Sequence, residues 1–359
     1  MILSVAFMLA TGVAFAQTNN SSVTQSGTSN MSDVDQDGSL NTSVVNQSGL
    51  VSALSGELND SYVKQDGSGN AADVKQAGDE NVSDVIQTGD DNDATVDQGT
   101  GQAQMNIASS TQTGNDNTSI QKQRFDNNLA TIVQTGDGNF ADQDQNSGPN
   151  GSLGNTAFIS QLGDDNFADQ MQDGSSNNAY ISQIGMDNDA YQTQVGNSNQ
   201  AYAYQGESGN YSVQTQTGNS NYGLVYQNDS NPGGDNDASQ IQTGNSNVAT
   251  IDQGIGSPDT ENSEAFQTQI GNSNNAYAAQ NGDSNESRQR QEGNSNTSIH
   301  DQSGDDNYAR SRQYGNSNAS NIYQTGDMNQ ARTDQYGQTH VSNVTQMGNS
   351  NMSTVNQSN

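Results

Sequence analysis

A glutamine recurs every eleven residues along almost the whole chain, and each recurrence carries one frame, Gln-x-Gly-x-x-Asn-x-Ala/Ser. Copies run from Gln25 to Gln357, 29 in all; 23 of the 28 intervals are eleven residues and the other five are longer by three to seven. A short period held over this length predicts stacked units, because one such unit cannot bury a face alone.

Composition without the period predicts disorder. The 359 residues are 28% hydrophobic, carry a formal charge of −32 and are crowded with Asn, Gln, Ser and Gly. Such a chain cannot bury enough apolar surface to offset its ordering entropy. Stacking like on like removes that obstacle, because it satisfies backbone and amide groups without a large oily interior. Nine basic residues against 41 acidic ones argue against nucleic acid or an anionic membrane as partner. The absence of cysteine removes disulfides and thiol chemistry. His300 falls at an inward position and His340 where the frame expects Asn, neither within a catalytic or metal-binding constellation. We therefore expect no enzyme, no cofactor and no metal.

Met1 to Ala16 is apolar, ends in Ala14-Phe15-Ala16 and abuts Gln17, which predicts an export signal peptide cleaved after Ala16, although a basic n-region is missing. The stretch is too short to span a bilayer, and no other segment is apolar enough to insert.

The residues from each Asn to the next Gln alternate as a strand does. In Asn70–Gln76 one face holds Asn70, Ala72, Val74 and Gln76, the other Ala71, Asp73 and Lys75. Gly-x-x-Asn is expected to make the corner between strands, with Gly supplying positive φ and Asn both tolerating it and hydrogen-bonding locally. The five long intervals are expected as loop insertions near 48–58, 99–105, 146–154, 228–235 and 254–262. Pro149, Pro232 and Pro258 lie inside them, as residues without a ladder donor should.

Consecutive units are not equivalent. Two residues before the frame Gln, one series reads Gln121, Gln143, Gln170, Gln192, Gln214, Gln240, Gln267, Gln289. The interleaved series reads Ile132, Ile159, Ile181, Ala203, Val225, Ile251, Ala278. Gly-Asn-Ser-Asn corners at Gly196, Gly218, Gly244, Gly271, Gly293 and Gly315 follow alternate strands only. The expected fold is therefore all-β: a two-sheet, cross-β β-solenoid with about 22 residues and two strands per turn. One sheet would carry an amide ladder and the other an aliphatic ladder, with corner glycines between. Residues 1–16 would be the signal and 17–359 the solenoid, about 70 Å long at the usual strand spacing. Phe158, Tyr180 and Tyr202 would stack outward on one sheet, and Arg288, Arg310 and Arg332 on the other.

The frame stands as Gln134-Thr135-Gly136-Asp137-Gly138-Asn139-Phe140-Ala141 leading to Gln145, and as Gln183-Ile184-Gly185-Met186-Asp187-Asn188-Asp189-Ala190 leading to Gln194. It resembles the curlin repeat of curli subunits, the amyloid fibre proteins of bacterial surfaces, and the likeness covers nearly all of 19–357. The resemblance implies a secreted subunit that polymerises with copies of itself into matrix fibres on the cell surface. It also implies export through an outer-membrane secretion pore and seeding by a nucleator subunit. Two departures stand out: only Gln17 and Thr18 separate Ala16 from the first unit, and the units far outnumber the handful usual in that family.

A physical expectation stands beside the resemblance. Terminal units that lack caps and bear the same ladder residues would let a rod grow into a filament. Val23, Val34 and Val45 near one end and Val344 and Val355 near the other would let either sheet accept either sheet. The rival is a monomeric secreted solenoid that binds carbohydrate or another surface through its outward face. Ice binding would want regular outward threonines, whereas Thr95, Thr131 and Thr250 are scattered; a disordered prion-like chain would need no 22-residue alternation. Acidic corners such as Gly89-Asp90-Asp91-Asn92 and Gly304-Asp305-Asp306-Asn307 read as charges that slow aggregation before export rather than as calcium loops.

Overall fold

The computed structural model describes residues 18–48, 57–148, 151–227, 234–254 and 260–359. The expected signal peptide, the three prolines and most of the insertions at 48–58, 228–235 and 254–262 lie outside these residues.

Twenty-nine β-strands, β1 (Asn20–Gln25) to β29 (Met352–Ser358), make up the described chain, and no helix interrupts them. Odd-numbered strands stack in sequence order into one 15-stranded sheet and even-numbered strands into a 14-stranded sheet. Every pairing is parallel and joins strands two apart in the chain, as in Phe158↔Tyr180 and Gln170↔Gln192. The molecule is a two-sheet β-solenoid of 22-residue turns. Parallel strands normally need a long crossover; here the intervening strand of the other sheet supplies it.

Typical strands alternate between buried and outward residues over seven positions, as in Thr156–Leu162. The three buried positions hold a small residue, a variable one and the frame Gln, for example Ala157, Ile159 and Gln161. Large and small residues interlock across the interior. Ile132, Ile159 and Ile181 of the even sheet pack against Ala141, Ala168 and Ala190 of the odd sheet. In the other direction Gly223 of the even sheet meets Gln214 and Gln240 of the odd one, and even a Cβ there would come within 2.9 Å of Gln240 Oε1. A small residue in one sheet thus makes room for the large residue of the other.

Two sequence expectations are corrected. Residues 99–105 were expected to be a loop, yet β7 (Asp93–Gln104) continues as strand through Gln104, absorbing the extra residues as register shifts against β5 (Ala71–Asp79) and β9 (Thr118–Asp126). A bulge of this kind interrupts the ladder locally and lets the pairing resume beyond it. The corner Asn does not take positive φ. That conformation falls on the residue before it, such as Ser198 at 58° or Asp187 at 55°, and on the corner glycine, Gly196 at 113°. The Asn has another task, described next.

Candidate functional site

The repeated side chains form continuous hydrogen-bonded columns parallel to the rod axis. Gln121 donates to Gln143 (3.2 Å), Gln143 to Gln170 (3.0 Å), Gln170 to Gln192 (3.0 Å) and Gln192 to Gln214 (2.7 Å). The column continues through Gln240, Gln267 and Gln289 at 2.8–3.1 Å. These amides also reach across to the facing sheet, as Gln170 Nε2 does to the Phe158 carbonyl (3.0 Å). Each amide so placed spends its donors on a neighbour in its own sheet and a backbone acceptor in the other, which offsets the cost of burying it. The column starts below Val96 and ends above Ser311, and the first acceptor, Gln121 Oε1, is left without a partner.

In the even sheet the equivalent column is Ile132, Ile159, Ile181, Ala203, Val225, Ile251 and Ala278, in register and without exposed surface. At the corners, Gly196, Gly218, Gly244, Gly271, Gly293 and Gly315 all lie at φ 113–119°. A Cβ on Gly196 would sit 2.0 Å from the Gly218 carbonyl oxygen, so the turns stack too closely for any side chain. Beside them an exposed asparagine column forms: Asn219 Oδ1 accepts from Asn197 N and Asn245 Oδ1 from Asn219 N, each at 3.0 Å.

Sequence reasoning missed one interior column. In the interior turns the frame Asn is buried and both gives and accepts along the axis: Asn166 Nδ2 donates to Asn139 Oδ1 (3.1 Å) and to the Gly185 carbonyl (2.8 Å), while Asn139 Oδ1 also accepts Asn166 N (3.1 Å). The recurrence of Asn in nearly every unit was the available signal, although it reads from the sequence as a mark of positive φ and local hydrogen bonding instead. The frame Gln forms a further column, for example Gln161 to Gln183 to Gln205 at 2.9 Å each.

His300 occupies the aliphatic column in the even sheet. It is wholly buried between Ser287 Oγ (2.8 Å from Nδ1) and Ser311 Oγ (2.7 Å from Nε2), and burial pushes its pKa down to about 3. The imidazole is neutral there, and the small Ser311 stands where the facing column would otherwise continue with Gln.

The outer faces of the two sheets differ. From β5 (Ala71–Asp79) to β27 (Gln330–Gln338), the outward positions of the odd sheet hold 21 charged side chains. Over the matching span of the even sheet, from β6 (Val82–Thr88) to β28 (Val341–Met347), there are three: Asp84, Asp252 and Asp301. Eight of the nine basic residues lie on the odd face. There Arg288, Arg310 and Arg332 align in register. Glu286 pairs with Arg288, Glu292 with Arg290, and Asp334 with both Arg310 and Arg312. Stacked rings occur on both faces: Phe158 on Tyr180 (5.0 Å) and Tyr204 on Tyr226 (4.7 Å) on the even one, with Tyr202 6.4 Å from Tyr180, and Phe140 on Phe167 (4.9 Å) and Tyr314 on Tyr336 (5.2 Å) on the odd one.

No curated protein matches the chain. The family model of the curlin associated repeat matches it twice, over residues 70–99 and 163–191. Within those windows the buried Gln76, Asn81, Gln183 and Asn188 take the same ladder places as their counterparts in the other turns. Over those two windows the chain is similar to the curlin associated repeat, and the same ladders run on through the other turns.

Proposed function

We propose that the chain is the structural subunit of an extracellular, curli-like amyloid fibre, assembled by end-to-end stacking of its solenoid and serving biofilm matrix and surface adhesion. The observation that carries this reading is the ladder itself. Each interior strand is held on both edges by near-identical strands, Gln on Gln and Asn on Asn, at 22-residue spacing. A second copy offers the same edge that the chain's own next turn offers, so intermolecular and intramolecular stacking are chemically alike. Val23 and Val355 stand in columns whose interior members are fully buried, yet Val23 is 45% exposed and Val355 half-buried. Stacking a copy on either strand would cover them. The curlin repeat supports an extracellular, non-enzymatic role; an export pore and a nucleating subunit follow from the family likeness alone.

The purified chain should convert above a threshold concentration into filaments with a meridional reflection near 4.7–4.8 Å, and preformed fibres should abolish the lag. A monomer that persists at high concentration and ignores seeds defeats the reading. The stacked rings on the even face favour one alternative, a monomeric solenoid that binds glycan through that face, since aromatic faces present apolar area with a polar tip. Retention of unassembled chain on an insoluble glucan would favour it.

A further inference from the structure

The neutrality of the even face is the most unusual surface property of a chain with 41 acidic residues. Twelve successive strands of that sheet, from β6 to β28, present apolar residues such as Leu129, Val133, Tyr180 and Leu224 among uncharged Ser, Thr and Asn, with three carboxylates and no cation. Twelve strands at about 4.8 Å by seven residues at about 3.3 Å make a face of roughly 1,300 Å². That exceeds the roughly 800 Å² per partner that a stable interface buries.

We propose that this face is a lateral interface at which two copies of the chain pack even sheet against even sheet, side by side, independently of axial growth. Three properties select a second copy as the occupant. Its area suffices for a stable pair. Its side-chain rows repeat at the strand spacing, and another cross-β face is the object with the same repeat, so rows interdigitate along the whole length. Charge selects this face over the other: two copies meeting through odd faces would desolvate or oppose 21 charged side chains each, whereas the even faces bring together three each from β6 to β28. The other six charges of the even face, Asp33, Asp35, Asp37, Asp60, Lys64 and Asp66, lie on its first two strands at one end. The acidic corners such as Asp164 and Asp305 lie beyond the strand ends and stay in water at the rim of such a pair.

The test compares wild type with two triple variants of equal charge. Thr131→Lys/Ser182→Lys/Thr250→Lys places three cations on the even face at outward, small, polar positions. Thr95→Lys/Thr193→Lys/Ser239→Lys does the same on the odd face. Filament width by electron microscopy reads lateral pairing, seeded growth rate reads axial stacking, and sedimentation reads pairing of unassembled chain. Wild type and the odd-face variant should be paired rods, while the even-face variant should grow from seeds at an unchanged rate as single rods, its pairing weakened at least about tenfold. Pairing without filaments would keep this proposal and defeat the axial one. Single wild-type rods, pairing that survives the even-face lysines, or an even face that takes up an insoluble glucan while rods stay single would each overturn it.

Discussion

The two sheets share one backbone design and differ in what they put on each side. Inside, the odd sheet carries Gln170, Gln192 and Gln214 where the even sheet carries Ile159, Ile181 and Ala203. Outside, from β5 to β27 the odd sheet carries 21 charges, and from β6 to β28 the even sheet carries three. In a parallel, in-register stack each residue's nearest neighbours are its own counterparts one turn away. Like residues must therefore be able to satisfy one another: amides do so by donating and accepting in series, aliphatics by packing, and like charges do so only with counter-ions. Arg288, Arg290, Arg310 and Arg312 meet that condition through Glu286, Glu292 and Asp334, while Arg332 lies over the Tyr308 ring.

Exchange of the interior residues gives the sharpest test of this contrast and the largest effect. Gln192→Leu would deprive Gln170 of one acceptor, Gln214 Oε1 of its donor and the Tyr180 carbonyl of its partner. A local loss of about 3 kcal/mol is expected from the unsatisfied groups. Ile181→Gln would bury an amide between Ile159 and Ala203, with no neighbour in the column to complete a ladder, at a similar cost. Combined, the two changes should not rescue one another, because Gln170 and Gln214 lie in one sheet and Ile159 and Ala203 in the other, so an amide at 181 completes neither column. Hydrogen exchange of the amides in these turns measures it; a double variant as stable as wild type would show that the sheets' identities are interchangeable.

His300 breaks the even sheet's aliphatic rule and supplies the next test. Its folded pKa, about 3, lies below the ordinary 6.5, so the unfolded chain binds the extra proton first as pH falls. The neutral ring's contribution is complete above about pH 6.5 and is lost progressively between there and 3. At pH 5 the turns around residue 300 should be about 2 kcal/mol less stable than at pH 8 from this group alone. His300→Ile, which restores the residue type of the column, should remove that acid dependence while Ser287 loses its imidazole partner. Exchange rates at the two pH values, compared with those around Ile181, separate this local effect from the titration of the carboxylates.

Much of this organisation is readable in the sequence, for a physical reason. Period-2 alternation marks Ala157, Ile159 and Gln161 as one face, and identical residues 22 apart can neighbour each other only if every second strand shares a sheet. What escaped notice was whatever substitutes freely or repeats without variation. The positive-φ corner position accepts Ser198, Asp187, Met328 and Thr339, so no residue type announces it. Asn139 and Asn166 recur so faithfully that a turn preference seemed to explain them, although burial and ladder geometry are what they serve. The strand through Gln104 was hidden because extra residues with Gly99 and Gly101 read as a loop. The neutral even face was visible in principle in alternate units, but a column-by-column reading notices the arginines that are present sooner than the charges that are missing.

The smallest predicted effect concerns how the odd face tolerates its charge. Asp334 accepts Arg312 through both carboxylate oxygens, each at 2.7 Å, and Arg310 at 3.1 Å. The hydrogen bonds from Arg312, with the charge of Arg310, hold its carboxyl below the usual range. A depressed carboxylate contributes stability above its unfolded pKa and loses it as pH falls through the folded value, so this site weakens in acid only below about pH 4. Asp334→Asn would leave Arg310 and Arg312, two residues apart on the outer face of one strand, without their shared anion. Because the guanidinium groups are partly in water, the expected loss is only about 1 kcal/mol, and rising salt should diminish it by screening the arginines. Denaturant unfolding at low and high salt measures both terms. A loss that persists undiminished at high salt would mean that Asp334 matters through packing rather than charge, and that the odd face does not depend on its counter-ions.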